Sequence, residues 1–205
     1  MDTNQDVNPR TYAIGDLLAT AAERALPVIR ALPDEQLANP TPCADYDVKA
    51  LVNHVLHVVV QFQNLAAKKD SDFTATPDYI AADPTWRDRF ATESSRLAAA
   101  WSAPGAEEGT TGAMNMPARI VGSLALLDLT VHAWDLARAT DQEHRLNDAT
   151  DPVLDQVTAT VGEMAPTARA MGMFAEPAPV PEDANAFDRL LAETGRDPRW
   201  ARTGR

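Results

Sequence analysis

Asp128 and His132 stand four residues apart in LALLDLTVHAWDLARAT, positions 124–140. The run is rich in Leu and Ala and free of Gly and Pro, so it reads as a buried helix. A spacing of four puts the two side chains one turn apart on the same face. A carboxylate and an imidazole on an inward face are costly to desolvate unless something pairs with them. Either the two satisfy each other, or both point at a cation. Zinc and similar divalent ions accept exactly that pair of donor types, nitrogen and carboxylate oxygen, and one helix then supplies two ligands. On spacing alone the hydrogen-bonded pair remains the plainer reading.

A third group is available in His54, within LVNHV. A lone histidine among apolar residues also reads as a satisfied core or boundary residue, and His57, three positions on, competes for the role. Asp135 lies three beyond His132. It either orients an imidazole from behind or pairs with its i+3 neighbour Arg138, the latter being the simpler expectation. Trp134 reads as packing, and His144, in a polar turn, as solvent-exposed. Cys43 reads as a small packing group, with a nucleophile activated by a helix N-terminus as the alternative. No Gly-rich phosphate loop, nucleophile elbow, CxxC or HExxH is present.

The elements that must position these residues follow from composition and pattern. The chain has 205 residues, 45% hydrophobic and 23% charged, which is ordinary for a globular protein with a real core. It is read as one domain, with a loose tail at 1–8 and a C-terminal extension at 173–205 packing on a bundle. The net charge of −12 argues against nucleic acid or an anionic membrane as partner, since both call for basic patches. A single cysteine and a polar N-terminus without an apolar signal core point to a cytoplasmic setting. No window is expected to reach the apolar length of a membrane span. Abundant Ala and few β-branched runs predict a mostly helical, all-α chain.

Asn8-Pro9 reads as a helix start, with that helix running to about Leu32 and Pro27 kinking or breaking it. Asp45 or Asp47 caps a second helix from Val48 to about Lys69. Residues 70–83 read as loop, and a third helix runs from Asp83-Pro84 to Trp101. The Gly-rich stretch at 104–116 is long for a connection, which suggests a mobile or functional loop that closes over the site. Asn115 is placed as the cap of the fourth long helix, Pro117–Thr140. A fifth spans Asp148 to about Met171, and a short one, Ala184–Glu193, ends at Gly195. Bundles of such helices build metal sites from facing core side chains.

Three blocks in order, TPCADYDVKALVNHV, LLDLTVHAWDLARAT and PVPEDANAFDRLLAETGRDPRW, make the chain resemble an actinobacterial family of DinB-like metal-binding proteins. That family is similar to the N-terminal domain of mycothiol-dependent maleylpyruvate isomerase. The resemblance implies a DinB-like four-helix bundle with additional short C-terminal helices. It also implies a divalent metal, zinc or alternatively nickel, held by His54, Asp128 and His132. The isomerase has Glu where this chain has Asp128, so the carboxylate here is one methylene shorter. The implied chemistry is thiol S-transfer or isomerisation, with a low-molecular-weight thiol such as mycothiol as cosubstrate and a small molecule as partner. A non-catalytic metal-binding module is the alternative. The basic tail, RDPRWARTGR, either wraps the bundle or reaches a second subunit in a homodimer.

Overall fold

A computed structural model describes residues 12–144, 146 and 150–202. Its helices are α1 (Ile14–Arg30), α2 (Val48–Ala66), α3 (Tyr79–Ala82), α4 (Trp86–Trp101), α5 (Ala118–Ala139), α6 (Pro152–Ala170) and α7 (Ala186–Glu193). Helix α1 packs on α4 and α5, and α2 packs on the same two, so these four close a ring. Helix α6 lies against the outside of α5, and α7 against α6. This is the expected all-α bundle with added C-terminal helices.

Helix α5 is the centre of the molecule. Seventeen of its 22 residues are buried, so nearly every face meets protein. It is also long and apolar enough by composition to span a bilayer, which corrects the expectation that no window would be. Here that apolar surface is covered by the other helices rather than by lipid.

One end of the bundle is held by close approach and by a polar clasp. A Cβ on Gly122 would lie 2.8 Å from both the Ile14 side chain and the Trp101 ring, so only Gly lets α5 come this near α1 and α4. The first amide of α1, on Ile14, donates to Glu107 Oε1 at 2.7 Å. This cap comes from 93 residues downstream and satisfies a helix-terminal donor that no neighbouring side chain reaches. The other Glu107 oxygen pairs with Arg119, which also donates to the Tyr12 carbonyl and to Gln156.

Several expectations need correction. The starts placed at Asn8-Pro9 and Asp148 lie outside the described residues. Pro27 sits inside α1 and does not break it. Asp47 caps α2, accepting from the Ala50 amide at 2.7 Å, and the polar stretch before α4 contains the short α3, capped by Asp78. Asn115 caps no helix. It holds a left-handed φ of 50° in the turn of a two-stranded hairpin, Thr110–Thr111 with Met116–Pro117.

That hairpin belongs to the Gly-rich loop, and its position overturns the lid expectation. Lys68 Nζ donates to the carbonyls of Ala106 and Glu108, and Thr111 Oγ1 donates to the Leu65 carbonyl. The loop is thus fastened to the far end of α2. Leu65 is eleven residues from His54, roughly 16 Å along a helix. The basic tail wraps its own bundle: Arg138 donates to the Trp200 carbonyl, and Arg202 pairs with Asp141 at 2.8 Å.

Replacing Gly122 by Ala should destabilise the protein although Ala is the better helix former by about 1 kcal/mol. Overpacking against the fully buried Trp101 and Ile14 side chains costs typically 1–3 kcal/mol. A lower urea midpoint at unchanged slope is the expected result.

Candidate metal centre

Helices α2 and α5 run antiparallel, which brings the early part of α2 beside the later part of α5. His54 therefore faces Asp128 and His132. His54 Nε2 lies 3.2 Å from Asp128 Oδ1, and His132 Nε2 lies 3.4 Å from the same oxygen. One ligand atom from each of the three falls within 4.8 Å of the others. Two atoms each about 2 Å from a shared tetrahedral ion stand roughly 3.3 Å apart, so these spacings suit zinc-type coordination. The second Asp128 oxygen, Oδ2, is buried and has no hydrogen-bond partner among the described residues, an unmet need that a cation would fill.

Each imidazole is held from behind. Tyr46 stacks on His54 with ring centroids 5.0 Å apart, and its hydroxyl lies 3.4 Å from Nδ1. His132 Nδ1 lies 2.9 Å from Asp135 Oδ2. With both Nδ1 atoms engaged outward, both Nε2 atoms point into the cluster, the arrangement in which a metal-bound imidazole is oriented by its second nitrogen.

Asp135 is fully buried and also accepts from Arg196 at 3.2 Å. This corrects the expected Asp135–Arg138 pair, since Arg138 reaches the tail instead. Arg196 enters from the C-terminal extension, just after Gly195, whose φ of 85° turns the chain inward at the end of α7. Nothing in the local sequence marked Arg196 or Tyr46 as part of this cluster. Both lie in the motif blocks that carry the family resemblance.

The electrostatics follow from burial and alternation of sign. Burial raises the Asp128 pKa, but the imidazoles of His132 and His54 more than offset it and hold it well below the usual carboxylate range. Burial disfavours charge on His132, yet Asp128 and Asp135 overcome this and raise its pKa to about 9. Burial also works against the Arg196 charge, and Asp135 reverses the balance.

Cys43 lines the same cleft and forms a second donor group with His132 and Asp135. Burial pushes its thiol up to about 11, which favours the expected packing role over the alternative of an activated nucleophile. That second group is the poorer cation site, because its carboxylate already faces the Arg196 guanidinium. His57 takes no part: its ring is buried between the Tyr79 hydroxyl at 3.1 Å and the Asp72 carbonyl at 2.7 Å. His144 is half-buried rather than exposed, and burial lowers its pKa to about 4.

The cluster lies on a cleft of about 360 Å³. Its walls come from α2, α5, α6, the segment after α6, the loop before α2, and the C-terminal extension.

Asp135→Ala would leave Arg196 charged and unpaired in a buried position, a change that typically costs 3–5 kcal/mol and is read from denaturant unfolding. In chelator-treated protein, the stabilisation due to His132 is fully present below its unfolded pKa of 6.5 and lost as pH rises through about 9. The urea midpoint should therefore fall over that window, and the fall should be absent in His132→Gln.

Residues 18–137 match the family model described as mycothiol maleylpyruvate isomerase N-terminal domain. Two relatives, the uncharacterized proteins MT0763 and Rv0738 from two strains of Mycobacterium tuberculosis, are each 31% identical over 170 residues. The alignment covers 80% of this chain and 87% of each relative. No solved structure matches the chain. The family match takes in Cys43, Tyr46, His54, Asp128, His132 and Asp135 and leaves only Arg196 of the cluster outside it; the chain belongs to the mycothiol maleylpyruvate isomerase N-terminal domain family.

Proposed function

We propose that this protein is a divalent-metal-dependent thiol S-transferase or isomerase in which His54, Asp128 and His132 hold the metal. The carrying observation is the convergence of three donors on a cleft, with Asp128 Oδ2 buried and unpartnered. Two imidazole nitrogens and a carboxylate oxygen are the donor set of open zinc sites, with nickel the alternative. When bound, such an ion stabilises the thiolate form of a thiol at neutral pH, giving a strong nucleophile without a dedicated base.

The chain's own residues do the remaining work. Asp135 fixes the His132 ring through Nδ1 and keeps the proton on that side, leaving Nε2 free to donate its lone pair. Tyr46 does the same for His54 by stacking and through its hydroxyl. Arg196 balances the Asp135 charge, so that the imidazole is oriented without the carboxylate taking its proton. The cleft beside the triad gives a small molecule access, and the C-terminal extension lines it through Thr194 and Arg196. The family description supports a low-molecular-weight thiol of the mycothiol type as cosubstrate. Cys43, held as a neutral thiol, is not the nucleophile in this reading.

Protein purified without an affinity tag should retain stoichiometric zinc or nickel by elemental analysis. His54→Ala should lose that metal while keeping its helical circular dichroism, because the His54 side chain is partly exposed and its loss is tolerable to the fold. Full metal retention in that variant would refute the assignment. The metal-loaded protein should consume an electrophile in a thiol-dependent manner that the chelated protein does not show. Metal retention without such turnover would favour the non-catalytic module.

A further inference from the structure

The cleft is not lined like a site for a wholly polar molecule. On α5, Leu124, Leu127 and Val131 line the cleft together with Asp128 and His132. Leu124 sits one turn before Asp128. On α2, Phe62 lines it two turns past His54. Because the helices are antiparallel, both displacements run in the same direction away from the triad. The distance from His54 to Phe62 along α2 is about 12 Å, from eight residues at about 1.5 Å each.

The opposite wall is also apolar. Met164 on α6 and Phe174 just beyond it face this groove. Met173 lies at its edge, 54% exposed. Phe62, Leu124, Met164 and Phe174 are only partly buried, so this surface is not closed by the protein's own core. The α2–α5 wall is therefore graded, with the triad at one end and Phe62 and Leu124 at the other, while Met164, Met173 and Phe174 supply further apolar lining. Methionines adapt their shape to varied apolar ligands.

We infer that this cleft binds a ligand with an apolar body, alkyl or aryl, laid along the α2–α5 groove toward Phe62, with its reactive head at the triad. The volume of about 360 Å³ accommodates roughly a dozen non-hydrogen atoms if each takes about the 30 Å³ share of a water. The nature of the head rests on the reading of His54, Asp128 and His132 as metal ligands. The apolar body rests on the cleft alone.

The test uses protein labelled with 13C-methyl methionine, studied as purified and after zinc loading, with Met164→Leu and Met173→Leu to assign the signals. A series of unbranched 1-alkanols from butanol to octanol is titrated in. The Met164 and Met173 methyl signals, which line the cleft, should shift clearly more than that of Met114, which lies outside its lining. The dissociation constant should fall roughly fourfold per added methylene, and Leu124→Ser should flatten that trend. Alkanethiols added to the zinc-loaded protein should follow the same trend from a tighter starting point. No dependence on chain length, or equal shifts at Met114, would overturn the inference even in protein that holds its metal. A clear chain-length trend in protein that takes up no metal would sustain the apolar cleft and sink the metal reading instead.

Discussion

Ionisable groups buried beside the most apolar helix of the bundle must neutralise one another, and the rest of the structure is arranged around that demand. Asp128, His132 and Asp135 lie on the central helix, and His54 and Arg196 reach them from α2 and the C-terminal extension. Along this line the groups alternate: imidazole, carboxylate, imidazole, carboxylate, guanidinium. Each contact is between complementary partners, which is the condition for burying charge at tolerable cost. The carboxylates of Asp128 and Asp135 favour a proton on His132 against the cost of its burial. For a cation, the same side chains already point the right nitrogens inward.

The two ends of the bundle divide the work. At one end, Gly122 allows α5 to meet Ile14 and Trp101 closely, while Glu107 and Arg119 tie the Gly-rich loop to the starts of α1 and α5. That end is tightly packed and its loop is fastened in place. At the other end the helices leave a cleft, and its polar lip is built by segments outside the four-helix ring: the loop carrying Cys43 and Tyr46, the turn after α6, and the residues after α7. The close packing centres on Gly122, and the cleft runs from the triad to Leu124 and Phe62, stopping just short of that packed end. The loop at 104–116 looked functional from its length and glycines, yet it serves the packed end.

A shared cleft also explains why so apolar a wall sits beside so polar a cluster. Residues one apart on a helix diverge by about 100°, so each apolar residue of α5 that precedes a ligating one points to its side within the same cleft. Leu127 and Val131 therefore flank Asp128 and His132.

The helices themselves and the Asp128–His132 pair were legible from local pattern. Periodicity placed α2, α4 and α5 to within a few residues, and the four-residue spacing alone put that pair on one face. The resemblance of the motif blocks added His54, and the structure brings it to the same point. What local pattern could not supply was everything that depends on which helices become neighbours. Asp135 was matched to Arg138 by spacing, but Arg196, sixty-one residues away, reaches it instead. The cap of α1 comes from Glu107, and the loop read as a lid lies at the wrong end. Spacing along a helix fixes which side chains share a face, because the backbone repeat is set by its own hydrogen bonds. Which partner stands opposite that face is decided by the packing of distant segments, and only the folded chain contains that information.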